Sequence, residues 1–334
     1  MKWRASPCCS PEHIEDLGRA TGLHGMWGVA PRAPIHIGYD RLVIQQIAML
    51  EQGRIGRHSV LLADLHAQLD PILSAEEAKR RTKYYQAFFE YGCGLKASYF
   101  IGSEIQQSPE YVGKLYQLLP RIGLAAVRDV VPAGMRVRGQ RETLSLVHIV
   151  MQCLDAIVLG ADLVYAERSQ DKVYSLLQLF PDRLMNGQVQ FAYTASSRDV
   201  KGRPLAESSR ATRISFHDSE DEIRGKVRVM YAPLGSTAGE GQDPRSNLLL
   251  DAYKWSVFPW TNEPVRVNSS QLGERSFTSF TAFHDAYCQE EIHPADCKET
   301  LVKLLLSRFS FVLSCMGSGV CAWVRPATQI DGTS

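Results

Sequence analysis

Short apolar runs alternate with longer segments of helical periodicity from about residue 22 to residue 194. The run HSVLLADL at 58–65 is almost continuously apolar, as in strands that are buried on both faces of a parallel sheet. Strands that alternate with helices in this way indicate an α/β fold with a parallel sheet. We predict its strands at 26–29, 58–65, 96–102, 161–166 and 188–194.

The segments between and after these strands carry helix signals. Periodicity predicts helices at 36–52 and 109–119. Ser74 is followed three residues later by Glu77, which is a capping box and predicts that a helix begins there. A second capping box at 219–222 predicts another helix. We expect the helix after Ser74 to bury Tyr84, Ala87, Phe88 and Tyr91.

The pattern changes after residue 194, and this change divides the chain. Residues 235–247, GSTAGEGQDPRSN, lack apolar periodicity and are the best linker candidate. Two helical segments follow, at 248–258 and 295–313. We therefore predict a larger α/β domain and a smaller helical C-terminal domain. The predicted organisation is an N-terminal extension (1–22), a catalytic domain (23–234), a helical domain (248–314) and a tail (315–334).

Composition excludes several classes of protein. The 334 residues, 45% of them hydrophobic, are enough for full cores and argue against disorder. A net charge of +1 gives no global field that would attract nucleic acid or an anionic membrane. The eight cysteines are scattered without a CxxC pair, which indicates a reducing, cytoplasmic location. The apolar stretch at 309–324 is too short for a membrane span, and no secretory signal is expected at the N-terminus.

A group of His and Cys residues near the C-terminus has spacings that could place zinc ligands on successive helix turns. The group consists of His284, Cys288, His293 and Cys297. Cysteine is often buried as a small hydrophobic residue, so we expect no metal site here. His66 lies in an apolar context, LADLHAQL, and is equally compatible with a core position and with a pocket wall.

The segment PIHIGYDRL contains a possible phosphate site. His36 and Gly38 lie where a helix is predicted to begin after a strand and a turn with prolines. A helix N-terminus offers unpaired N–H groups and a positive dipole end, and glycine lets a ligand approach the backbone. A lone His-x-Gly is also compatible with a purely structural turn.

Five motifs taken together point to one family. They are HIGY at 36–39, LLADLHAQL at 61–69, YFIGSEIQ at 99–106, MQCLDAIVLGADL at 151–163, and SSR at 208–210. In this order and at these spacings they resemble the tyrosyl-tRNA synthetases of the archaeal and eukaryotic type, which are class I aminoacyl-tRNA synthetases. EIHPADCKE at 291–299 is similar to the helical anticodon-binding region of that family.

The resemblance implies a Rossmann-like catalytic domain and a two-step reaction. ATP and an amino acid, tyrosine or a related aromatic one, would form an aminoacyl-adenylate with Mg²⁺, and tRNA would then accept the acyl group. A cytoplasmic homodimer is implied as well. The catalytic residues implied are His36, Gly38, Tyr39, Ser208, Ser209 and Arg210, of which His36, Gly38, Ser208 and Ser209 would bind ATP. The amino-acid-binding residues implied are Met26, Gly28, His148, Gln152, Asp155 and Gln170. Ser103 is expected to converge on the same site.

The second ATP signature departs from the family pattern. LAESSR at 205–210 places Leu205 at the position of the family's first signature lysine and Glu207 at that of a serine. The loss of a cation near the pyrophosphate is expected to slow the reaction. An alternative registration would bring Arg203 or Lys201 to the pyrophosphate. In the first signature, Tyr39 offers a hydroxyl donor where the class pattern has a second histidine.

The amino-acid pocket is also altered. Asp155 aligns with the carboxylate that holds the substrate phenol, and Gln152 and Gln170 align with residues around the substrate ammonium. Met26 and His148 replace two pocket tyrosines of the family. Three hypotheses follow: a tyrosine–tRNA ligase, a paralogue that uses a different amino acid or acceptor in secondary metabolism, and a catalytically inactive protein that binds tRNA or a partner.

Overall fold

A parallel five-stranded sheet lies at the centre of the predicted larger domain (23–234) in the computed structural model. The structure describes residues 21–68, 73–130, 142–180, 189–205, 209–234, 247–269 and 273–317. The strands are β1 (Leu23–Val29), β2 (Ile55–Leu62), β3 (Ser98–Ile101), β4 (Leu163–Glu167) and β5 (Gln190–Thr194). Neighbouring strands pair in parallel in the order β3-β2-β1-β4-β5, which confirms the predicted fold class.

The order of the strands creates a crevice at the carboxyl ends of β1 and β4. The chain moves outward from β1 through β2 to β3, and then returns to the other side of β1 for β4 and β5. Such a change of direction leaves a crevice in which open α/β sheets bind their ligands. The first crossover helix, α1 (Gly38–Glu51), begins beside this crevice.

The remaining helices cover both faces of the sheet and build the C-terminal region. In the larger domain they are α2 (Asp64–Ala67), α3 (Ala75–Ala87), α4 (Gly102–Gln106), α5 (Pro109–Leu118), α6 (Leu124–Val130), α7 (Glu142–Val158), α8 (Asp171–Tyr174) and α9 (Glu220–Arg228). In the C-terminal region they are α10 (Leu248–Ala252), α11 (Phe280–Cys288) and α12 (Pro294–Cys315). A hairpin of β6 (Val265–Ser269) and β7 (Gly273–Phe277), which the sequence did not predict, lies between α10 and α11.

Most local predictions agree with the structure, and one buried position does not. Ser74 caps α3 by accepting a hydrogen bond from the Glu77 N–H, and Ser219 and Glu222 form the predicted capping box of α9. Tyr91, however, is 60% exposed, so its predicted burial is wrong. A π-helical turn at Phe88–Gly92 continues α3 and changes its pitch, which rotates the following side chains away from the predicted face.

The two faces of the sheet lead to different cores. On one face, Trp27 packs in a core that continues through α1 to Tyr253 and to Leu301 of α12. The C-terminal helices therefore pack directly against the helix that begins at the crevice. On the other face, Met26 packs with Leu154 and other residues of α7.

Several predicted segments lie outside the described residues. They are 1–20 of the extension, 235–246 of the linker and 318–334 of the tail. In the part of the chain that the structure describes, no helix has both the length and the apolar character to cross a membrane.

Candidate active site

The floor of the crevice is open at Gly28. This glycine lies in the central strand, between β2 and β4, yet it is exposed. A Cβ atom added to Gly28 would have its nearest neighbour at 4.0 Å, the Cε of Met26. Met26 lies two residues earlier and so projects from the same face of the sheet. The crevice thus reaches down to the backbone of β1, and Met26 borders it.

A buried carboxylate lies on this face of the sheet. Asp155 of α7 accepts hydrogen bonds from Gln106 Nε2 at 2.8 and 3.0 Å and from the Tyr111 hydroxyl at 2.6 Å. Burial raises the pKa of Asp155 to about 7, although the hydrogen bonds from Gln106 and Tyr111 oppose this shift. Gln106 and Tyr111 were not identified as site residues from the sequence. Gln106 lies within the YFIGSEIQ motif, so that motif was the available signal.

Two further residues of α7 share a face with Asp155. His148, Gln152 and Asp155 are separated by four and three residues, which places their side chains in a row. The Nε2 of Gln152 donates to Gln170 Oε1 at 3.2 Å. Gln170 follows the end of β4, so this hydrogen bond links α7 to the mouth of the crevice.

His66 and His148 form a pair of neutral imidazoles. His66 Nε2 donates to the backbone carbonyl of His148 at 3.0 Å, and the ring centroids are 4.5 Å apart. Burial lowers the pKa of His66 to about 3 and that of His148 to about 4. Among the described residues, neither Nδ1 atom has a hydrogen-bond partner.

The titration of Asp155 predicts a pH dependence for the tyrosine binding that the sequence motifs imply. Ionised Asp155 accepts the phenol hydrogen of tyrosine in a charge-assisted hydrogen bond, whereas the protonated carboxyl group is a weaker, neutral acceptor. Because the pKa of Asp155 is about 7, the ionised fraction rises with pH through this value. We expect about tenfold tighter tyrosine binding at pH 8 than at pH 6, measured by calorimetry. Phenylalanine, which lacks the hydroxyl group, is the control, and an equal pH dependence for both ligands would contradict this role of Asp155.

The beginning of α1 holds His36 in a fixed, neutral state. Its ring stacks on Tyr39 with centroids 4.6 Å apart and planes inclined by 19°. Burial, with a smaller effect of the Arg213 charge, lowers the pKa of His36 to about 3. The Tyr39 hydroxyl lies 3.3 Å from that of Tyr85, which itself donates to the Ala33 carbonyl at 2.6 Å. Tyr39 therefore donates to Tyr85, and its hydroxyl hydrogen is directed to the core.

Leu205 occupies the space next to Gly38. A Cβ atom at Gly38 would lie 2.1 Å from Leu205 Cδ1, so the two residues are in tight contact. Arg203 is held nearby by Asp199, with Nη2 and Nε at 2.9 and 3.1 Å from one carboxylate oxygen, and it also bonds to Thr212 Oγ1. The backbone N–H groups of Lys201 and Arg203 donate to the other oxygen of Asp199. Residues 199–203 are thus held together by hydrogen bonds to Asp199.

The other residues of the second signature contact Thr212 and Glu222 or lie outside the described residues. Ser209 bonds to Thr212 through its N–H at 3.2 Å. Arg210 is directed to Glu222 of α9, at 3.5 Å. Ser208 and Glu207 lie outside the described residues. Ser103 donates its N–H to Asp64 at 2.7 Å, at the carboxyl ends of β2 and β3.

A cleft opens between the start of α1, the loop after β5 and the C-terminal region. From the larger domain it is lined by His36, Gly38, Arg41, residues 196–200, Leu205 and residues 212–214. From the C-terminal region it is lined by Leu248, Asp251, Ala252, Trp255 and Ser256. Glu167 at the end of β4 interacts with Ser196 and Ser197 of the same loop, and burial raises the pKa of its carboxyl group. The sequence did not point to Glu167.

The His and Cys residues near the C-terminus are arranged differently from a zinc site. Cys297 is buried in the core, and His293 caps α12 through a hydrogen bond from the Ala295 N–H. Cys288 Sγ lies 3.7 Å from His284 Nε2. Within the described ranges, no three His, Cys, Asp or Glu side chains are grouped so that they could hold a metal ion.

Comparison with known proteins shows the family to which the chain belongs. Residues 21–309 match the family described as tRNA synthetases class I (W and Y). The chain belongs to this family. The resemblance to tyrosyl-tRNA synthetases that the motifs showed is thereby confirmed.

Curated relatives of this class I synthetase chain include archaeal tyrosine–tRNA ligases. The enzyme of Methanospirillum hungatei is 27% identical over 84% of this chain and 86% of its own length. That of Halorubrum lacusprofundi is 28% identical over 90% of this chain and 93% of its own length. The fold is similar to that of the Archaeoglobus fulgidus tyrosyl-tRNA synthetase complexed with L-tyrosine. That structure has a TM-score of 0.74 and 24% identity, and the match covers 90% of this chain and 91% of that one.

Proposed function

We propose that this protein activates an aromatic amino acid, tyrosine before others, with ATP and transfers the acyl group to tRNA. The observation that carries this proposal is the open sheet floor at Gly28 on the face where Asp155 is buried. An aromatic ring fits over a backbone without a side chain, and the carboxylate accepts a hydrogen bond from a phenol. A site built for a polar substrate group discriminates strongly against analogues that lack it.

Activation requires positioning of the reactants and no covalent intermediate with the protein. A carboxylate oxygen of the amino acid attacks the α-phosphorus of ATP, and the bond between the α- and β-phosphates breaks to release pyrophosphate. In our proposal Gln152 and Gln170 orient the substrate ammonium. His36 and the N–H groups at the start of α1 stabilise the charge on the phosphoryl oxygens. Holding the reactants in line supplies much of the acceleration.

Mg²⁺ would neutralise part of the charge on the nucleotide phosphates. Because the described residues contain no group of three metal-binding side chains, we propose that the ion enters the site bound to ATP. The protein would then bind the ion mainly through the nucleotide.

Transfer of the acyl group would use residues 248–314 as an anticodon-binding region. This assignment rests on the resemblance of EIHPADCKE to that region of the family. The contact of the C-terminal helices with the core beside α1 gives a bound tRNA a direct structural connection to the crevice.

We also propose that the protein is a homodimer. The α5–α6 segment exposes two large apolar side chains, Tyr116 at 70% and Leu124 at 52%. We expect light scattering after size exclusion to give twice the mass of one chain. The pair of changes Tyr116→Arg and Leu124→Arg should halve this mass, because charges of the same sign would be brought together in an apolar contact. Phe311→Arg, at a position 48% exposed on α12, is the control and should leave the mass unchanged. A monomeric wild type would contradict this proposal.

Two observations favour alternative functions. The contact of Leu205 with Gly38 favours a protein that binds an amino acid without using ATP. Met26 beside the open floor, together with His148 on α7, favours activation of a different amino acid.

Amino-acid-dependent exchange between ATP and pyrophosphate tests these functions against each other. The assay would cover the twenty amino acids and several ring-modified tyrosines, with Asp155→Ala as the control. Exchange with tyrosine is the expected result. Exchange with another amino acid would identify a repurposed activating enzyme. No exchange by folded protein would contradict activation and favour a binding protein.

A further inference from the structure

The chain lacks the family's first signature lysine, which is the cation expected near the phosphates of ATP. Leu205 stands at that position and packs against Gly38. Phosphoryl transfer in such a site depends on positive groups near the phosphoryl oxygens. A second cation at the start of α1 would therefore compensate for the lysine.

Arg213 lies next to the start of α1. The segment around residues 213–216 runs antiparallel to residues 35–38. The Ile37 N–H donates to the Ile214 carbonyl and the Phe216 N–H to the Ile35 carbonyl, both at 3.1 Å. His36 and Ser215 form a bridge pair between these two segments. In this register Arg213 lies opposite Gly38, the first residue of α1.

His36 provides an independent sign that a ligand belongs at this point. Its side chain is buried, with 8% exposure, and among the described residues its Nδ1 has no hydrogen-bond partner. A Cβ atom at Gly38 would lie 2.9 Å from this Nδ1, so the atom is at the helix N-terminus. Arg213 is near enough for its charge to lower the pKa of His36. A polar ligand at Gly38 would therefore meet His36 and Arg213 together.

Three other arginines lie in this region. Arg41 stacks over the Trp255 ring, 4.8 Å from its centroid. Arg198 donates to the Gly202 carbonyl at 2.8 Å. Arg203 is bound to Asp199. The register places Arg213, and none of these three, opposite Gly38, and Arg213 lines the same cleft as Gly38.

We propose that Arg213 is a catalytic residue that contacts the phosphates of ATP and replaces the signature lysine lost at Leu205. This inference rests on the proposed function. As the amino-acid carboxylate forms its bond to the α-phosphorus, the electrons of the breaking bond pass to pyrophosphate. The guanidinium of Arg213 neutralises this developing charge and transfers no proton. Leu205 has to move away from Gly38 when ATP binds.

Arg213→Gln tests the proposal because it removes the charge and keeps the length and polarity of the side chain. We expect kcat/KM for ATP in the exchange assay to fall by about 100- to 1,000-fold. Tyrosine binding, measured by calorimetry without ATP, should remain unchanged. Arg213→Lys should retain more activity than Arg213→Gln. Adding Leu205→Lys to Arg213→Gln should restore part of the loss, since it returns a cation to the signature position.

Arg228→Gln is the matched control, since Arg228 is an exposed cation at the end of α9 and belongs to no part of the proposed site. It should leave exchange unchanged. Wild-type constants for Arg213→Gln, or an equal loss for Arg228→Gln, would overturn the assignment while leaving the proposed function intact.

The contact of Arg213 with phosphate can still be tested if the wild-type protein shows no exchange with any amino acid. Binding of Mg-ATP is then compared by calorimetry in the wild type and in Arg213→Gln. Weaker binding by the variant would support the contact of Arg213 with phosphate even though the proposed function fails. Equal binding, or no binding by the wild type, would refute the contact.

Discussion

Replacing Arg308 with alanine is expected to lower the free energy of unfolding by about 3 to 5 kcal/mol. The guanidinium forms a two-pronged salt bridge with Asp40, with contacts of 2.5 and 2.6 Å, and both side chains are buried. It also donates to the Ser256 carbonyl at 3.1 Å and lies 4.3 Å from the centre of the Trp260 ring. Without Arg308, the carboxylate of Asp40 would remain buried without its counter-charge. Urea denaturation followed by circular dichroism measures the effect.

An exposed ion pair provides the control for this prediction. Arg224 binds Glu220 at 2.9 Å and Glu299 at 2.6 Å at the surface. Arg224→Ala should cost less than about 1 kcal/mol, because exposed pairs are screened by water. The double change Asp40→Asn with Arg308→Met should cost less than Arg308→Ala, since no buried charge is left unpaired. Equal losses for Arg308→Ala and Arg224→Ala would contradict the importance of burial.

The Asp40–Arg308 pair also has a consequence for the site. Asp40 lies two residues after Gly38, in the first turn of α1, and Arg308 lies on α12 of the C-terminal region. Burial raises the pKa of Asp40 although Arg308 opposes this shift. An isolated Asp40 would therefore bind a proton more readily, and the cost of Arg308→Ala should decrease as the pH is lowered.

Asp155→Ala is expected to abolish the preference for an amino acid that carries a phenol. A site that hydrogen-bonds a substrate hydroxyl can prefer it over the analogue without the hydroxyl by a factor on the order of 10⁴. Asp155 accepts hydrogen bonds from Gln106 and Tyr111, which fix the direction of its carboxylate. We expect the ratio of kcat/KM for tyrosine over phenylalanine in exchange to approach unity in the variant.

Binding of ATP is the internal control for this change. Asp155 lies on α7, whereas Gly38 and Leu205 line the cleft toward the C-terminal region, which Asp155 does not line, so ATP affinity should remain near the wild-type value. Asp155→Asn keeps the shape of the side chain and should also lose the preference, because a neutral amide binds the phenol less strongly. An undiminished preference for tyrosine in both variants would show that another group holds the phenol.

Some residues of the candidate site could be identified from the sequence, and others could not. His36 and Gly38 lie in one short motif at the predicted start of a helix, whereas the sequence predicted no helix around Asp155, which lies on α7. Gln106 and Tyr111 contact Asp155 across 49 and 44 residues, and no local pattern encodes that contact. The direction of the Tyr39 hydroxyl depended likewise on Tyr85, on another helix. Local motifs therefore indicate where a residue lies relative to a helix or strand, whereas tertiary packing decides its hydrogen-bond partners.

The sequence by itself determined the α/β class, the five strands of the sheet, the capped starts of α3 and α9, and the family. These features arise from periodicity and short-range hydrogen bonds, which lie within neighbouring residues. Only the tertiary structure decided that Leu205 closes over Gly38, that Arg213 lies opposite the start of α1, and that Arg308 pairs with Asp40. Each of these contacts joins segments far apart in the chain. Its energy depends on burial and on a partner that local sequence patterns do not specify.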